Sequence, residues 1–264
     1  MANSKKPTPN KLVELLLQRL TAFNPPVGKV TLGLSGGLDS VVLFDLLLQA
    51  RRSLDCSLDA IHINHQLSPH AATWADFCGT LCAQHDVPLH LIKVQISRRS
   101  KLGLEAAARA ARYQAFASLD TDVLLLAHHL DDQVETLLQN LLRGTGVAGA
   151  AGMPETRLAA QGSGARTLRL VRPLIEVPRA SLLAYAQQQG LHWVDDESNA
   201  DSAFTRNFLR HQVLPVIEQR FPAYRDTMAR AAQHFAEAEG LLHELATLDL
   251  AGAMRAEKHR SPGK

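Results

Sequence analysis

A serine and two glycines follow a short apolar run in the segment TLGLSGGLDSVVLFDLL, residues 31–47. This segment suits two different chemistries. Residues 33–37 fit the G-x-S-x-G pattern, in which a serine attacks the substrate. Residues 35–40 are instead typical of a phosphate-binding loop, because glycines let backbone N–H groups approach an anion and the next helix adds its positive end. The spacing alone leaves open whether Ser35 is a nucleophile or part of an anion site.

The phosphate interpretation assigns ATP to the residues of the SGGLDS stretch, namely Ser35, Gly36, Gly37, Leu38, Asp39 and Ser40. No lysine follows the glycines, so this is not the G-x-x-x-x-G-K-[ST] loop of γ-phosphate transfer. Asp39 would repel phosphate unless Mg²⁺ lies between them, which makes it a candidate metal ligand. A loop that holds the β,γ-pyrophosphate as leaving group would direct attack to the α-phosphate and give an adenylated intermediate.

The nucleophile interpretation of Ser35 requires a preceding strand and loop to supply an oxyanion hole. Before Ser35 the sequence offers one predicted helix and then the first predicted strand. The context therefore favours the phosphate loop over the hydrolase.

A second charged cluster lies in AHHLDDQVET, residues 127–136. His129 ends an apolar run, and Asp131 and Asp132 open a predicted helix, with Glu135 one turn further. Capping explains one carboxylate. The acids together make a patch that suits Mg²⁺ or the ammonium of an amine substrate.

Two further stretches carry polar groups with two interpretations each. In EAAARAARYQAF, Glu105, Arg109 and Arg112 share one face of a helix. This face is either a solvated surface with one ion pair, or a site at which the arginines bind phosphate. In HINHQLSPHA, one interpretation is that Asn64 and His65 contact the base or ribose of a nucleotide. The other is that they belong to a solvated loop before a helix.

These stretches follow apolar runs that alternate with helical patterns. Strands are predicted at 30–34, 58–63, 89–94 and 123–127, and helices at 11–20, 38–50, 68–85, 104–118 and 131–142. The alternation predicts an α/β fold with a doubly wound, mostly parallel sheet, followed by a smaller helical region. Ligands of such sheets bind beyond the carboxyl ends of the strands, where the polar stretches occur. We predict a catalytic domain at 1–215, a helical region at 216–250 and a disordered tail at 251–264.

Composition excludes several other classes of protein. The chain has 264 residues and a formal net charge of +2. It contains three cysteines, and no two of them form a C-x-x-C pair. This predicts neither a disulfide framework nor a zinc or iron–sulfur site. No run of about 18 apolar residues predicts a membrane span. The N-terminus lacks the pattern of a signal peptide, so a cytoplasmic enzyme is expected.

Taken together, the motifs resemble a known superfamily. SGGLDS is similar to the SGGxDS loop of the N-type ATP pyrophosphatases, or PP-loop proteins, whose fold is adenine nucleotide α-hydrolase-like. The stretches HINHQLSPHA, LEAAARAARYQAF, AHHLDDQVETLLQNLLRGTGVAGAAGM, VRPLIEVPRASLLAYA and WVDDESNADSAFTRNFLRHQVLP occur in order between residues 29 and 215. Together they resemble the family of tRNA(Ile)-lysidine synthetases.

The resemblance implies an ATP-dependent ligase that modifies tRNA in two steps. ATP adenylates the C2 oxygen of cytidine 34 in the CAU anticodon of tRNA(Ile), and free lysine then replaces AMP at C2. The catalytic residues it implies are Asp39, Arg109, Arg112, His129, Asp132 and Glu135, with Mg²⁺ at Asp39. Between Arg143 and Arg225 the basic residues are arginines without a lysine, and Arg206 and Arg210 in FTRNFLR are expected to face the tRNA backbone.

Two points stay open at this level. A tRNA cytidine thiolase is the nearest alternative, and it would need cysteines for an iron–sulfur cluster. Many lysidine synthetases continue into further C-terminal domains, so a chain ending at Lys264 is expected to be a short form or a truncated one. The resemblance implies no membrane and leaves the oligomeric state open, a homodimer included.

Overall fold

The computed structural model of the protein describes residues 9–66, 68–95, 104–160, 167–197 and 205–260. The chain forms two compact units that interleave in sequence. One comprises Met1–Leu130 and Glu155–Asp201, and the other comprises Asp131–Pro154 and Ser202–Lys264.

The first unit is built on a six-stranded sheet in the order β3-β2-β1-β4-β6-β5. Its strands are β1 (Lys29–Gly33), β2 (Ser57–Asn64), β3 (Leu89–Lys93), β4 (Val123–Leu125), β5 (Thr156–Ala160) and β6 (Thr167–Val171). All pairings are parallel except β5 with β6. The predicted fold class, a mostly parallel doubly wound sheet, is confirmed.

Helices cover both faces of this sheet: α1 (Pro9–Thr21), α2 (Leu38–Ala50), α3 (Ala71–Gln84), α4 (Leu104–Ala117) and α7 (Arg179–Gln189). Alternate residues of each strand enter different cores, as the two-residue period of a strand requires. Val123 and Leu125 of β4 pack with α1, α2 and α7, whereas Leu124 packs with Phe116 of α4. Two buried faces explain the nearly continuous apolar runs from which the strands were predicted.

The predicted boundaries differ from the structure in specific places. Helix α3 begins at Ala71, three residues after the predicted start at residue 68, and its N-cap is His70. The Ser68 hydroxyl accepts a hydrogen bond from the His70 backbone N–H, in a turn before the helix. Strands β5 and β6 were not predicted, because the stretch between residues 143 and 175 is rich in glycine and arginine and has no clear apolar period.

The second unit is helical. It contains most of α5 (Leu130–Leu142), then α6 (Val147–Ala150), α8 (Thr205–Phe208), a π-helical turn (Leu209–Val213), α9 (Leu214–Arg220) and α10 (Tyr224–Arg260). Val134 packs with Leu214 and Tyr224, and Leu137 packs with Ala150 and Ala232. Helix α10 extends to Arg260, beyond the end predicted near Leu250, and residues 261–264 lie outside the described residues. The predicted domain boundaries at 215 and 250 stay predictions.

None of the helices within the described ranges has both the length and the apolar composition that would let it span a membrane.

Candidate active site

The SGGLDS loop joins the carboxyl end of β1 to the start of α2. Gly37 is the N-cap of this 13-residue helix, and no side chain caps it. The first N–H groups of α2 therefore remain available to an anion at the helix's positive end. The serine hydroxyls brace the loop: Ser40 Oγ accepts from Gly36 N at 3.2 Å, and Ser35 Oγ accepts from Gly37 N at 3.3 Å.

The rear of the loop is packed without spare space. Gly36 has a φ of +90°, a conformation that L side chains rarely adopt. A Cβ there would lie 2.9 Å from Val194 Cγ2 and 3.2 Å from Cys78 Sγ. The Gly36 carbonyl accepts a hydrogen bond from Val194 N at 3.0 Å. A glycine is required here by both the backbone and the neighbours.

We expect Gly36→Ala to destabilise the protein by about 2–4 kcal/mol, from left-handed strain and overpacking. Urea unfolding measures this change. Gly79→Ala is the matched control, because it lies inside α3 and an added Cβ there meets nothing within 4 Å. That control should be neutral or slightly stabilising, and equal losses in the two variants would contradict the assignment.

A buried histidine supports the residue before the loop. His62 Nδ1 lies 2.9 Å from the Leu34 carbonyl oxygen and donates to it. Burial lowers the pKa of His62, although this hydrogen bond opposes the shift. A neutral ring at the base of the loop fixes the Leu34 carbonyl, which directly follows β1.

Asp39 lies in the first turn of α2, where two basic side chains approach its carboxylate. His129 Nε2 lies 3.5 Å from Oδ2, and Arg179 Nε lies 3.8 Å from Oδ1. Oδ1 is itself buried and has no hydrogen-bond partner among the described residues. A carboxylate oxygen left in this state fits the oxygen ligand that Mg²⁺ prefers. The structure thus brings the predicted residues Asp39 and His129 together, and adds Arg179, which the sequence did not single out.

The arginines of α4 lie on an exposed helix surface. The Arg109 guanidinium lies 5.5 Å from the centroid of the Tyr113 ring. Tyr113 also bonds to Arg172, which is buried after β6 and was not predicted as a site residue. Burial lowers the pKa of Arg172, and the Tyr113 phenol opposes that shift. The side chain of Glu105 lies outside the described residues.

The loop after β2 separates its two candidate residues. The Asn64 side chain donates to Ala71 O at 3.1 Å and accepts from Gln66 N at 2.8 Å, so it shapes the turn. His65 Nδ1 is buried without a hydrogen-bond partner in the described part of the chain. Burial, with smaller contributions from Arg112 and His62, lowers the pKa of His65 to about 4. His65 therefore offers a neutral ring near Arg112.

Stability should depend on pH through His65. Between pH 6.5 and about 4 the unfolded chain binds a proton at this residue that the folded chain does not, so stability falls as the pH falls through this window. We expect a loss of about 1–2 kcal/mol for a partly exposed ring. Urea unfolding at about pH 7 and about pH 5 measures it. His65→Asn should reduce the dependence, whereas the exposed His192→Asn should leave it unchanged.

Within the helical unit, two carboxylates and two guanidinium groups form one cluster. Glu135 is 1% exposed, and Arg206 Nε donates to its Oε2 at 2.6 Å. Arg210 Nε donates to Glu135 Oε1 at 2.6 Å, and Arg206 Nη2 donates to Asp132 Oδ1 at 2.6 Å. Burial alone lowers the pKa of Arg206, but Asp132 and Glu135 reverse this and hold it above its ordinary value. The cluster is balanced in charge.

This cluster joins residues for which separate roles were predicted from the sequence. Asp132 and Glu135 were predicted to bind an amine, and Arg206 and Arg210 to face RNA. Asp131, the third acid, belongs to another pair, with Arg225 Nε at 2.7 Å. The predicted roles stay predictions. Because the two carboxylates and two guanidinium groups are bonded to one another, a change in one of them affects the others.

Comparison with known proteins decides the family. The family model of the PP-loop domain matches residues 10–217. The chain belongs to the PP-loop domain family. The resemblance inferred from SGGLDS is confirmed at this level.

Curated relatives narrow the comparison further. Over 249 residues the chain is 47% identical to a tRNA(Ile)-lysidine synthase of Nitrosomonas europaea, covering 94% of this chain and 54% of that protein. It is 48% identical to the enzyme of that name from Pseudomonas fluorescens, covering 83% of this chain and 48% of the relative. The chain therefore spans about half the length of the curated relatives it matches.

A solved structure shares the fold. The U34-tRNA thiolase NcsA from Methanococcus maripaludis, solved with its [4Fe-4S] cluster, has a TM-score of 0.67 and 17% identity. The match covers 86% of this chain and 79% of that one. At this identity the likeness concerns the fold alone.

Proposed function

We propose that the chain carries out ATP-dependent ligation of lysine to C2 of cytidine 34 in the CAU anticodon of tRNA(Ile), giving lysidine, AMP and pyrophosphate. The observation that carries the proposal is its 47% identity, over 94% of its length, to a protein named tRNA(Ile)-lysidine synthase. The fold and the PP-loop are consistent with the first half of this reaction.

The first step is adenylation of the cytidine. The C2 oxygen attacks the α-phosphate, the bond to the bridging oxygen of pyrophosphate breaks, and that oxygen keeps the electron pair. The first N–H groups of α2, beginning with that of Leu38, bind the phosphates, while Gly36 and Gly37 let the chain approach them closely and donate to the hydroxyls of Ser40 and Ser35, which brace the loop. Mg²⁺ held by Asp39 would offset the phosphate charge. Arg109 and Arg112 neutralise charge on the transferred nucleotide, and His129 orients Asp39.

The second step is attack by the lysine ε-amine on C2 with loss of AMP. The amine must lose a proton before it attacks, and Asp132 or Glu135 accepts that proton. The same carboxylates position the ammonium when lysine binds.

Charge balance sets a condition on this step. In the cluster two guanidinium groups already neutralise Asp132 and Glu135, so a bound ammonium would add an unbalanced positive charge. Arg206 or Arg210 therefore has to release a carboxylate as lysine binds. Phosphates of the tRNA backbone are the partners we propose for the released guanidinium.

The thiolase alternative has less support. A cluster requires thiolates, but burial raises the pKa of Cys78 to about 12 and that of Cys82 to about 11. The hydrolase alternative requires a base on Ser35. In the described residues its hydroxyl bonds to Ser40 Oγ and Gly37 N, not to a histidine.

The decisive experiment is incorporation of labelled lysine into tRNA(Ile) with a CAU anticodon. The proposal expects label in this tRNA with ATP present, and none in a methionine tRNA with the same anticodon. Pyrophosphate exchange without lysine transfer would overturn it. Because relatives are about twice as long, the tRNA is used at saturating concentration.

We also propose the cytoplasm as the compartment, since the cysteines Cys56, Cys78 and Cys82 are free thiols. A homodimer stays a prediction, which sedimentation of the chain with and without tRNA measures.

A further inference from the structure

The PP-loop segment carries no cation of its own. Residues 31–47 contain neither lysine nor arginine, although the loop is proposed to hold the most highly charged part of ATP. Departure of pyrophosphate concentrates further negative charge on that group. The N-terminus of a helix and one divalent ion neutralise part of this negative charge. Loops for γ-phosphate transfer add a lysine directly after their glycines.

Arg179 comes to this loop from a distant part of the chain. It is the first residue of α7, an 11-residue helix whose N-cap is Pro178 and whose first turn has no acidic residue. Its Nε lies 3.8 Å from Asp39 Oδ1, too far for a hydrogen bond, and its side chain is 45% exposed. The partly exposed guanidinium therefore lies beside the loop, where the charge of Asp39 attracts it.

The position of α7 itself is fixed by the fold. Leu182, Tyr185 and Ala186 are buried against α2 in the main core, and Tyr185 Oη donates to Asp45 Oδ2 at 2.5 Å. The segment before α7 is fixed as well, because Leu130 N donates to Val177 O at 3.0 Å. A helix that is fixed in the core thus places a cationic side chain beside the loop.

We propose that Arg179 binds the β- and γ-phosphates of ATP and stabilises pyrophosphate as it leaves, supplying the cation that the loop lacks. The inference rests on the proposed function only in taking ATP as the nucleotide. With Mg·ATP bound, Asp39 would hold the metal, and the Arg179 guanidinium would donate two parallel hydrogen bonds to the phosphates.

Equilibrium binding tests this without tRNA or lysine. Calorimetric titrations with magnesium pyrophosphate and with AMP compare the intact chain with Arg179→Gln and Arg179→Lys. We expect the Kd for pyrophosphate to rise about 10-fold to 100-fold in Arg179→Gln, the loss typical of a hydrogen bond to a charged group. AMP lacks the phosphates concerned, so its Kd should stay within about twofold. Arg179→Lys keeps the positive charge but loses the planar guanidinium that donates two parallel hydrogen bonds, so it should recover part of the affinity for pyrophosphate.

Arg52→Gln is the control, because Arg52 is an exposed arginine after the far end of α2. It should bind both ligands like the unchanged chain. An unchanged pyrophosphate Kd in Arg179→Gln, equal losses for pyrophosphate and AMP, or no pyrophosphate binding by the unchanged chain would each overturn the inference. Failure of lysine incorporation would instead overturn the proposed function and leave this result standing.

Discussion

Asp39→Asn is expected to lower the rate of tRNA-dependent ATP–pyrophosphate exchange by about 100-fold to 1,000-fold, the usual cost of removing one electrostatic group from an active site. The amide keeps the shape of the side chain but loses the charge that would hold Mg²⁺ against the phosphates. The expectation depends on Oδ1, which is buried and accepts no hydrogen bond from the residues that the structure describes. Exchange of labelled pyrophosphate into ATP, measured over a range of Mg²⁺ concentrations, provides the test.

The exposed Asp55→Asn serves as a matched control and should leave exchange unchanged. In Asp39→Asn, higher Mg²⁺ should restore part of the activity, because the one remaining side-chain oxygen still binds the ion weakly. Full exchange at ordinary Mg²⁺ would show that Asp39 is not the metal ligand and that His129 and Arg179 hold it for structural reasons.

Glu135→Gln is expected to separate the two steps of the reaction. Transfer of lysine to adenylated tRNA should fall about 100-fold, because each charge-assisted hydrogen bond to a buried carboxylate contributes about 1.5–3 kcal/mol. Pyrophosphate exchange should change by less than about threefold, since Glu135 lies in the helical unit and accepts hydrogen bonds from Arg206 and Arg210. Single-turnover transfer of labelled lysine measures the second step, and exchange measures the first.

Two controls make this result interpretable. Glu218→Gln removes an acid that is half exposed and paired with Arg225 in the same unit, and it should leave both steps unchanged. Thermal unfolding of both variants shows how much of any loss comes from the arginines left with a single carboxylate. A parallel fall in exchange and transfer, without loss of folded protein, would contradict the assignment of Glu135 to lysine.

Much of the fold could be predicted because it depends on local pattern. The strands β1 to β4 and helices α2 and α5 follow from apolar periodicity, and their ends match the structure to within one or two residues. Strands β5 and β6 are only five residues long and each contains an arginine, and β5 becomes a strand only because β6 pairs with it in the antiparallel sense. Pairing between strands is a tertiary interaction that no local pattern shows.

The sequence by itself determined which residues could do chemistry, because the SGGLDS, HHLDDQVET and EAAARAARY stretches each follow a strand or lie on a helix face that local pattern defines. It also determined that the phosphate loop lacks a cation. Only the tertiary structure decided what faces those residues. It places Arg179 at Asp39, and it joins Asp132 and Glu135 to Arg206 and Arg210 in one neutral cluster. These partners lie far apart in the chain, and the energy of an ion pair depends on distance and burial in space, not on sequence separation.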